Sequence, residues 1–195
     1  MTYSILRPTE KQIDQFIAAQ RGLPFSYREV GATRSALPSG YAIDHNHVCL
    51  GRGRETYQRA KAALCRWEMF RLNWAQLCWP DTPIETGATV AVLARALGLW
   101  SLNACRIVYI IEEEAEIEWF GFAYGTLPEH AEQGEERFSV VWDQADDTVW
   151  YDILAFSRPR QLPAKLGYPY TRALQRRFAR DSKQAMVDAV KINLP

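Results

Sequence analysis

The sequence predicts an α+β fold: a strongly curved antiparallel sheet of about seven strands wrapped around a long C-terminal helix, with an extra helix at the N-terminus. Two observations carry this. From Trp74 to Pro159 the apolar residues recur with a period of two, in six runs separated by polar turns. After Pro163 the period returns to that of a helix and holds for some twenty residues.

Thr9 and Gln12 are spaced as a capping box, and Ile13, Phe16 and Ile17 form an apolar stripe before Gly22, so a short helix is expected over residues 9 to 21. The segment after Pro24 has glycine, proline and serine without periodicity and reads as a loop that enters a strand near Tyr41. That strand runs to Leu50. Beyond Gly51 and Gly53, Tyr57, Ala60, Leu64, Trp67 and Phe70 recur at spacings of three and four, which predicts an amphipathic helix. Strands follow over 74–79, 88–94, 104–112, 117–127, 135–143 and 148–157; the segment from Thr89 to Asn103 is readable as strand or helical turn and is assigned as strand only through Ala94. The last pair is a hairpin: Phe138, Val140 and Trp142 alternate with polar residues, and Gln144–Asp147 supplies the turn before Val149, Tyr151 and Ile153.

The final helix is expected over 169–191, with Tyr170, Leu174, Phe178, Ala185, Met186 and Ala189 on one side and Arg172, Arg176, Arg177, Arg180 and Lys183 on the other. Such a helix is roughly 35 Å long, and seven strands cover about 30 Å, so one helix crosses the whole sheet. Short connections between consecutive strands require antiparallel pairing, because a parallel return needs a long crossover. The organisation expected is one domain over 1–195, with an N-terminal helix and loop to residue 39, the sheet and second helix over 40–159, and the C-terminal helix over 160–195.

The 195 residues are 48% hydrophobic, and the 23 lysines and arginines balance 23 aspartates and glutamates. A neutral chain has no long-range field to draw in nucleic acid or an anionic membrane, so neither partner is expected. Four scattered cysteines lack the paired short spacing of a zinc or redox motif and read as buried thiols. Neither a signal-like N-terminus nor an apolar run long enough for a membrane span occurs, which points to the cytoplasm. There is no GxSxG elbow, phosphate-binding loop, dinucleotide fingerprint or HExxH motif, and no cofactor is expected. Oligomeric state has no signature in the sequence.

Several short strings occur in order: EVGATR at 29–34, GYAIDH at 40–45, LGRG at 50–53, GFAYGTLPEH at 121–130, GEERF at 134–138 and FSRP at 156–159. In these strings the chain resembles, over nearly its full length, the DUF1990 family, a domain of unknown function found in bacteria and plants. The resemblance implies the helix-grip architecture of START-like and birch-pollen-allergen-like proteins and transfers no reaction. Where the family pattern would read GTLPGHPE this chain has GTLPEHAE, so Glu129 and Ala131 replace a glycine and a proline in that turn.

Candidate site residues follow from chemistry. His130 lies among Glu129, Glu132, Glu135 and Glu136; a carboxylate can orient an imidazole and tune it as a general base, although a solvated acidic turn is the plainer reading. His130, Tyr124, Glu135 and Arg158 are therefore the candidate catalytic groups. Arg34, Arg106 and Arg158 lie in or beside apolar or turn segments, where a guanidinium needs an internal carboxylate or an anionic ligand; with Trp119 and Tyr124 they are the candidate ligand-binding residues. For Arg106 the internal ion pair is the favoured reading. On the strand from 117, Trp119, Gly121, Ala123 and Gly125 share one face; small residues there invite close approach by the last helix or a ligand, or mark a strand bend. His45 and His47 share a strand face with no third metal ligand in view, so no metal is expected.

The aromatic load, seven tryptophans, nine tyrosines and eight phenylalanines, fills a core or lines a pocket. The function expected is a non-enzymatic binding module for a small, largely apolar ligand held between sheet and helix. A cyclase- or hydrolase-type enzyme in the same cavity and a protein–protein interaction domain are the alternatives.

Overall fold

A computed structural model describes residues 3–160 and 168–191. The elements are β1 (Tyr3–Ser4), α1 (Glu10–Gln20), β2 (Ala42–Arg52), α2 (Gly53–Cys65), β3 (Ala75–Cys78), β4 (Thr89–Ala96), β5 (Leu99–Glu113), β6 (Ile117–Thr126), β7 (Glu132–Asp143), β8 (Thr148–Pro159) and α3 (Tyr168–Lys191), with single 3-10 turns at Ala32–Arg34 and Glu68–Phe70. All pairings are antiparallel, in the order β2-β8-β7-β6-β5-β4-β3, with the two-residue β1 added to β5. The expected curved sheet and gripping helix are present. Because β2 pairs with the last strand and β3 forms the opposite edge, the β2–β3 connection crosses the sheet, and α2 lies in that crossover.

Sheet curvature has local causes. Ladder irregularities between Cys49 and Gly51 and between Ile107 and Tyr109 bend β2 and β5. A side chain at Gly121 would run into the Phe138 carbonyl and Ser139, so glycine there lets β6 and β7 approach closely. The ambiguous segment from Thr89 to Asn103 is a hairpin: Leu97 (φ 51°) and Gly98 (φ 79°) are both left-handed, as a two-residue turn between twisted strands requires. A leucine at the first turn position, rather than asparagine or glycine, conceals this turn in the sequence, and β5 starts earlier than the alternation suggests.

The expected second helix also ends early. Trp67 is left-handed (φ 56°), which breaks the helix and drives its ring against Phe122 at 4.8 Å while its indole N–H donates to the Thr82 carbonyl at 2.9 Å. The aromatic load is largely spent here: Trp67, Phe70, Phe122, Phe138 and Tyr151 form the packed core between α2 and the sheet. The four thiols are free, but only Cys78 and Cys105 are buried; Cys49 and Cys65 are exposed, on the outer side of edge strand β2 and at the end of α2, against the expectation of four buried thiols.

The C-terminal half of α3 packs on α2 and the 68–70 turn, burying Ala179, Ser182, Met186 and Val190. Two polar contacts fix its position, Tyr151 with Ser182 at 2.9 Å and the Trp74 indole N–H donating to Asp181 at 2.9 Å. Arg172 departs from the basic outer face expected of it and turns inward onto Asp44. Pro163, the expected start of the helical period, lies outside the described residues. Among the described residues, no helix is long and apolar enough to cross a membrane.

Candidate functional site

The interior is divided. Beneath the C-terminal half of α3 it is filled; beneath the N-terminal half, residues 170–179, lies a cavity of about 630 Å³. Phe70, Val92, Ile153, Ala155, Leu174 and Phe178 supply its apolar wall. Tyr3, Leu97, Leu99 and Tyr170 line it too and are each at least 40% exposed, which makes them an apolar rim. A second pocket of about 710 Å³, between residues 7–13 and 67–80, carries the exposed charges of Arg7, Glu10 and Arg71 and no buried carboxyl among its described residues.

The polar wall of the cavity comes from β7. Glu132, Gly134 and Glu136 continue backwards the inward face of Phe138, Val140 and Trp142, so both carboxyl groups are carried into the cavity. The Tyr124 hydroxyl donates to Glu136 Oε2 at 3.0 Å. Burial pushes Glu136 from 4.5 to about 7, opposed by that hydrogen bond and reinforced by the negative charge of Asp44. Burial likewise lifts Glu132 to about 7, with Arg172 opposing. The same burial holds the Tyr124 phenol well above its ordinary value. His130 accepts the Glu132 backbone N–H on Nδ1 at 3.0 Å, and burial pushes its imidazole down to about 4, so it stays neutral. Opposite, Arg172 grips Asp44 through both guanidinium ends, at 2.5 and 2.6 Å, and the Gln175 amide donates to Ser157 at 2.9 Å.

Of the candidate residues, the structure brings only Tyr124 and His130 to the cavity with their side chains. Glu135 points to the outer face, where its carboxylate accepts from Tyr27 Oη (2.6 Å), Gly31 N (2.7 Å), Thr33 N (3.0 Å) and the Thr33 hydroxyl. It anchors the 26–34 segment and is saturated, so it has no lone pair left for chemistry. Arg158 is exposed on that outer face, over the Tyr41 ring at 4.4 Å and donating to the Gln133 amide oxygen at 2.6 and 2.7 Å. Arg34 is exposed beside Glu113 and Tyr109. Trp119 is on the outer face beneath Arg137 at 5.0 Å. Arg106 forms no carboxylate pair among the described residues; its guanidinium donates to the carbonyls of Leu23 (2.8 Å) and Gln20 (3.1 Å) and so closes the C-terminal end of α1.

The small residues of β6 face neither α3 nor the cavity. Gly125 lies under Tyr27, whose ring would meet any side chain there, and Gly121 lies against Phe138 and Ser139 of β7, so the close approach is made by the N-terminal loop and the neighbouring strand. The acidic string at 129–136 is no solvated turn: Glu132 and Glu135 are buried on opposite faces of a strand that begins three residues earlier than expected. The available signal was the alternation running back from Phe138. His45 and His47 do gain a third neighbour, Asp152 from β8, with His45 Nε2 at 2.5 Å from its carboxylate, but Arg137 holds the other oxygen at 2.9 Å. That hydrogen-bonded chain accounts for the arrangement.

Apart from LGRG, the strings quoted above meet at the cavity end of the sheet: EVGATR and GEERF join through Glu135, GYAIDH supplies Asp44, and GFAYGTLPEH supplies Tyr124 and His130. Comparison with known proteins agrees with this spread of motifs along the chain. Residues 26–185 match the family model of a domain of unknown function, DUF1990. A UPF0548 protein of Dictyostelium discoideum is 36% identical over 96% of this chain and 95% of its own length, and one of Deinococcus radiodurans is 36% identical over 93% and 96%. Among solved structures, a hypothetical protein of Helicobacter pylori superposes with a TM-score of 0.52 at 10% identity over 86% of this chain and 96% of its own. A protein of Thermus thermophilus does so at 0.52 and 11%, over 80% and 99%; these two likenesses speak to the fold alone. With the match extending from the loop that carries Tyr27 to Ala185 in the gripping helix, the chain belongs to the DUF1990 family, whose relatives bear the name UPF0548.

Proposed function

We propose that this chain is a non-enzymatic binding module that encloses a small, largely apolar ligand beneath the N-terminal half of α3. The observation that supports the reading is the cavity itself, about 630 Å³, within the range of small-molecule sites, apolar over most of its wall and entered past an exposed apolar rim. The enzyme alternative loses its constellation, since Glu135 and Arg158 work on the outer face and only Tyr124 and His130 remain inside.

The test is titration with N-phenyl-1-naphthylamine, an uncharged probe that fluoresces in apolar surroundings. Saturable binding is expected, together with its loss in Leu174→Trp, which fills the cavity from α3 and leaves the Met186 half of the helix untouched. A wild-type protein that binds no probe, or a Leu174→Trp variant that binds it equally well, refutes the proposal.

A further inference from the structure

Two acids in an oily chamber need a counterpart. Glu132 and Glu136 both line the cavity, and neither is in an ion pair among the described residues. Glu136 receives a neutral phenol, and Glu132 Oε2 receives the Gln175 amide at 3.5 Å. Glu132 Oε1 is buried with no hydrogen-bond partner among the described residues. No lysine or arginine side chain lines the cavity among those residues. Arg172, whose charge reaches Glu132 from α3, is clamped on Asp44. The groups facing the two acids are therefore Tyr124 and His130, both uncharged, Tyr3 beside Glu132, Cys105 and Tyr151 beside Glu136, the amide of Gln175, and the Asp44–Arg172 pair, whose Arg172 end eases the charge of Glu132 while its Asp44 end adds to the burden on Glu136.

A buried carboxyl with a spare acceptor and no cation is costly as the anion unless a partner brings positive charge and N–H donors. A carboxylate or phosphate ligand would add like charge beside two acids in a low-dielectric wall. An alcohol supplies one donor and no charge. A protonated amine supplies two or three donors and the missing charge, and its carbon body suits the rest of the wall. We infer that the ligand class of this cavity is the apolar amine, with its ammonium group set between Glu132 and Glu136. This rests on the cavity reading above. Because the acids are partly protonated near neutrality when the cavity is empty, pairing with an ammonium drives a proton off them.

The experiment is displacement of N-phenyl-1-naphthylamine by octylamine, 1-octanol and octanoate, three probes of one chain length. Octylamine is expected to displace at least about tenfold more strongly than 1-octanol, with octanoate weakest. In Glu132→Gln/Glu136→Gln, whose amides keep the side-chain shape, octylamine should fall to the level of 1-octanol while 1-octanol is unchanged. Calorimetric titration of octylamine near pH 7 in two buffers of different ionisation enthalpy should show net proton release to the buffer. If the naphthylamine binds but octylamine and 1-octanol displace it equally, or the double variant keeps the amine preference, the amine inference is overturned and the cavity reading stands. If the naphthylamine does not bind, the cavity reading fails and takes the inference with it. A thermal melt of the double variant itself shows whether it is folded, and the single Gln variants repeat the comparison if it is not.

Discussion

Replacing Glu136 by glutamine isolates the energetic consequence of putting an acid in this wall. Glutamine preserves the volume and still accepts the Tyr124 hydroxyl, but it cannot ionise. In the folded protein Glu136 titrates at about 7 rather than 4.5, so the native state holds its proton more tightly than the unfolded chain does. The sign follows: the group favours folding fully below 4.5, and that contribution drains away as the pH rises through about 7. At about 1.4 kcal/mol per pH unit, the displacement from 4.5 to about 7 corresponds to about 3 kcal/mol. Urea denaturation of the wild type and Glu136→Gln from about pH 5 to about pH 8 reads this directly. The glutamine variant should gain about 2.5 kcal/mol on the wild type over that interval, most of it below pH 7, the remainder having been lost below pH 5. A gap between the two proteins that stays constant with pH would show that Glu136 is not desolvated in the empty cavity.

Other perturbations have definite expectations. Glu135→Ala leaves the donors of Tyr27, Gly31 and Thr33 without their shared acceptor and should cost at least about 1–3 kcal/mol in denaturant melts, with early hydrogen exchange of residues 26–34. Met186→Ala empties a fully buried site under α3 and should cost about 2–5 kcal/mol. Leu97→Asn should stabilise by about 1 kcal/mol, because an exposed leucine is forced into a left-handed turn that asparagine tolerates; destabilisation would mean that Leu97 contributes more by packing at the rim than it costs in backbone strain. Gly125→Ala should destabilise by about 1–3 kcal/mol through collision with Tyr27 and should be relieved in part by Tyr27→Ala, measured as a double-mutant cycle.

Local chemistry determined much of this protein from sequence alone. The capping box at Thr9, the two-residue period from Trp74, the hairpin at 144–147 and the helical stripe from Tyr170 to Ala189 are patterns within a few residues of chain, and α1, most of the strands and α3 follow them. The same logic failed where a residue contradicted its local preference for a tertiary reason. Trp67 leaves the helix because the sheet offers its ring a place against Phe122, and Leu97 accepts a left-handed turn because the twist of β4 and β5 demands it. What each charge faces was decided by the tertiary structure. Neighbours on β7 alternate between opposite sides of a curled sheet, so Glu135 is buried under a loop from a hundred residues away while Glu136 looks into the cavity. Arg106 found carbonyls at a helix end, and Arg172 found Asp44 across the cavity, partners no spacing along the chain reveals. A strand's period says that two faces exist; only the closing of α1, the N-terminal loop and α3 over those faces determines which carboxyl is satisfied by the loop and which lines the cavity.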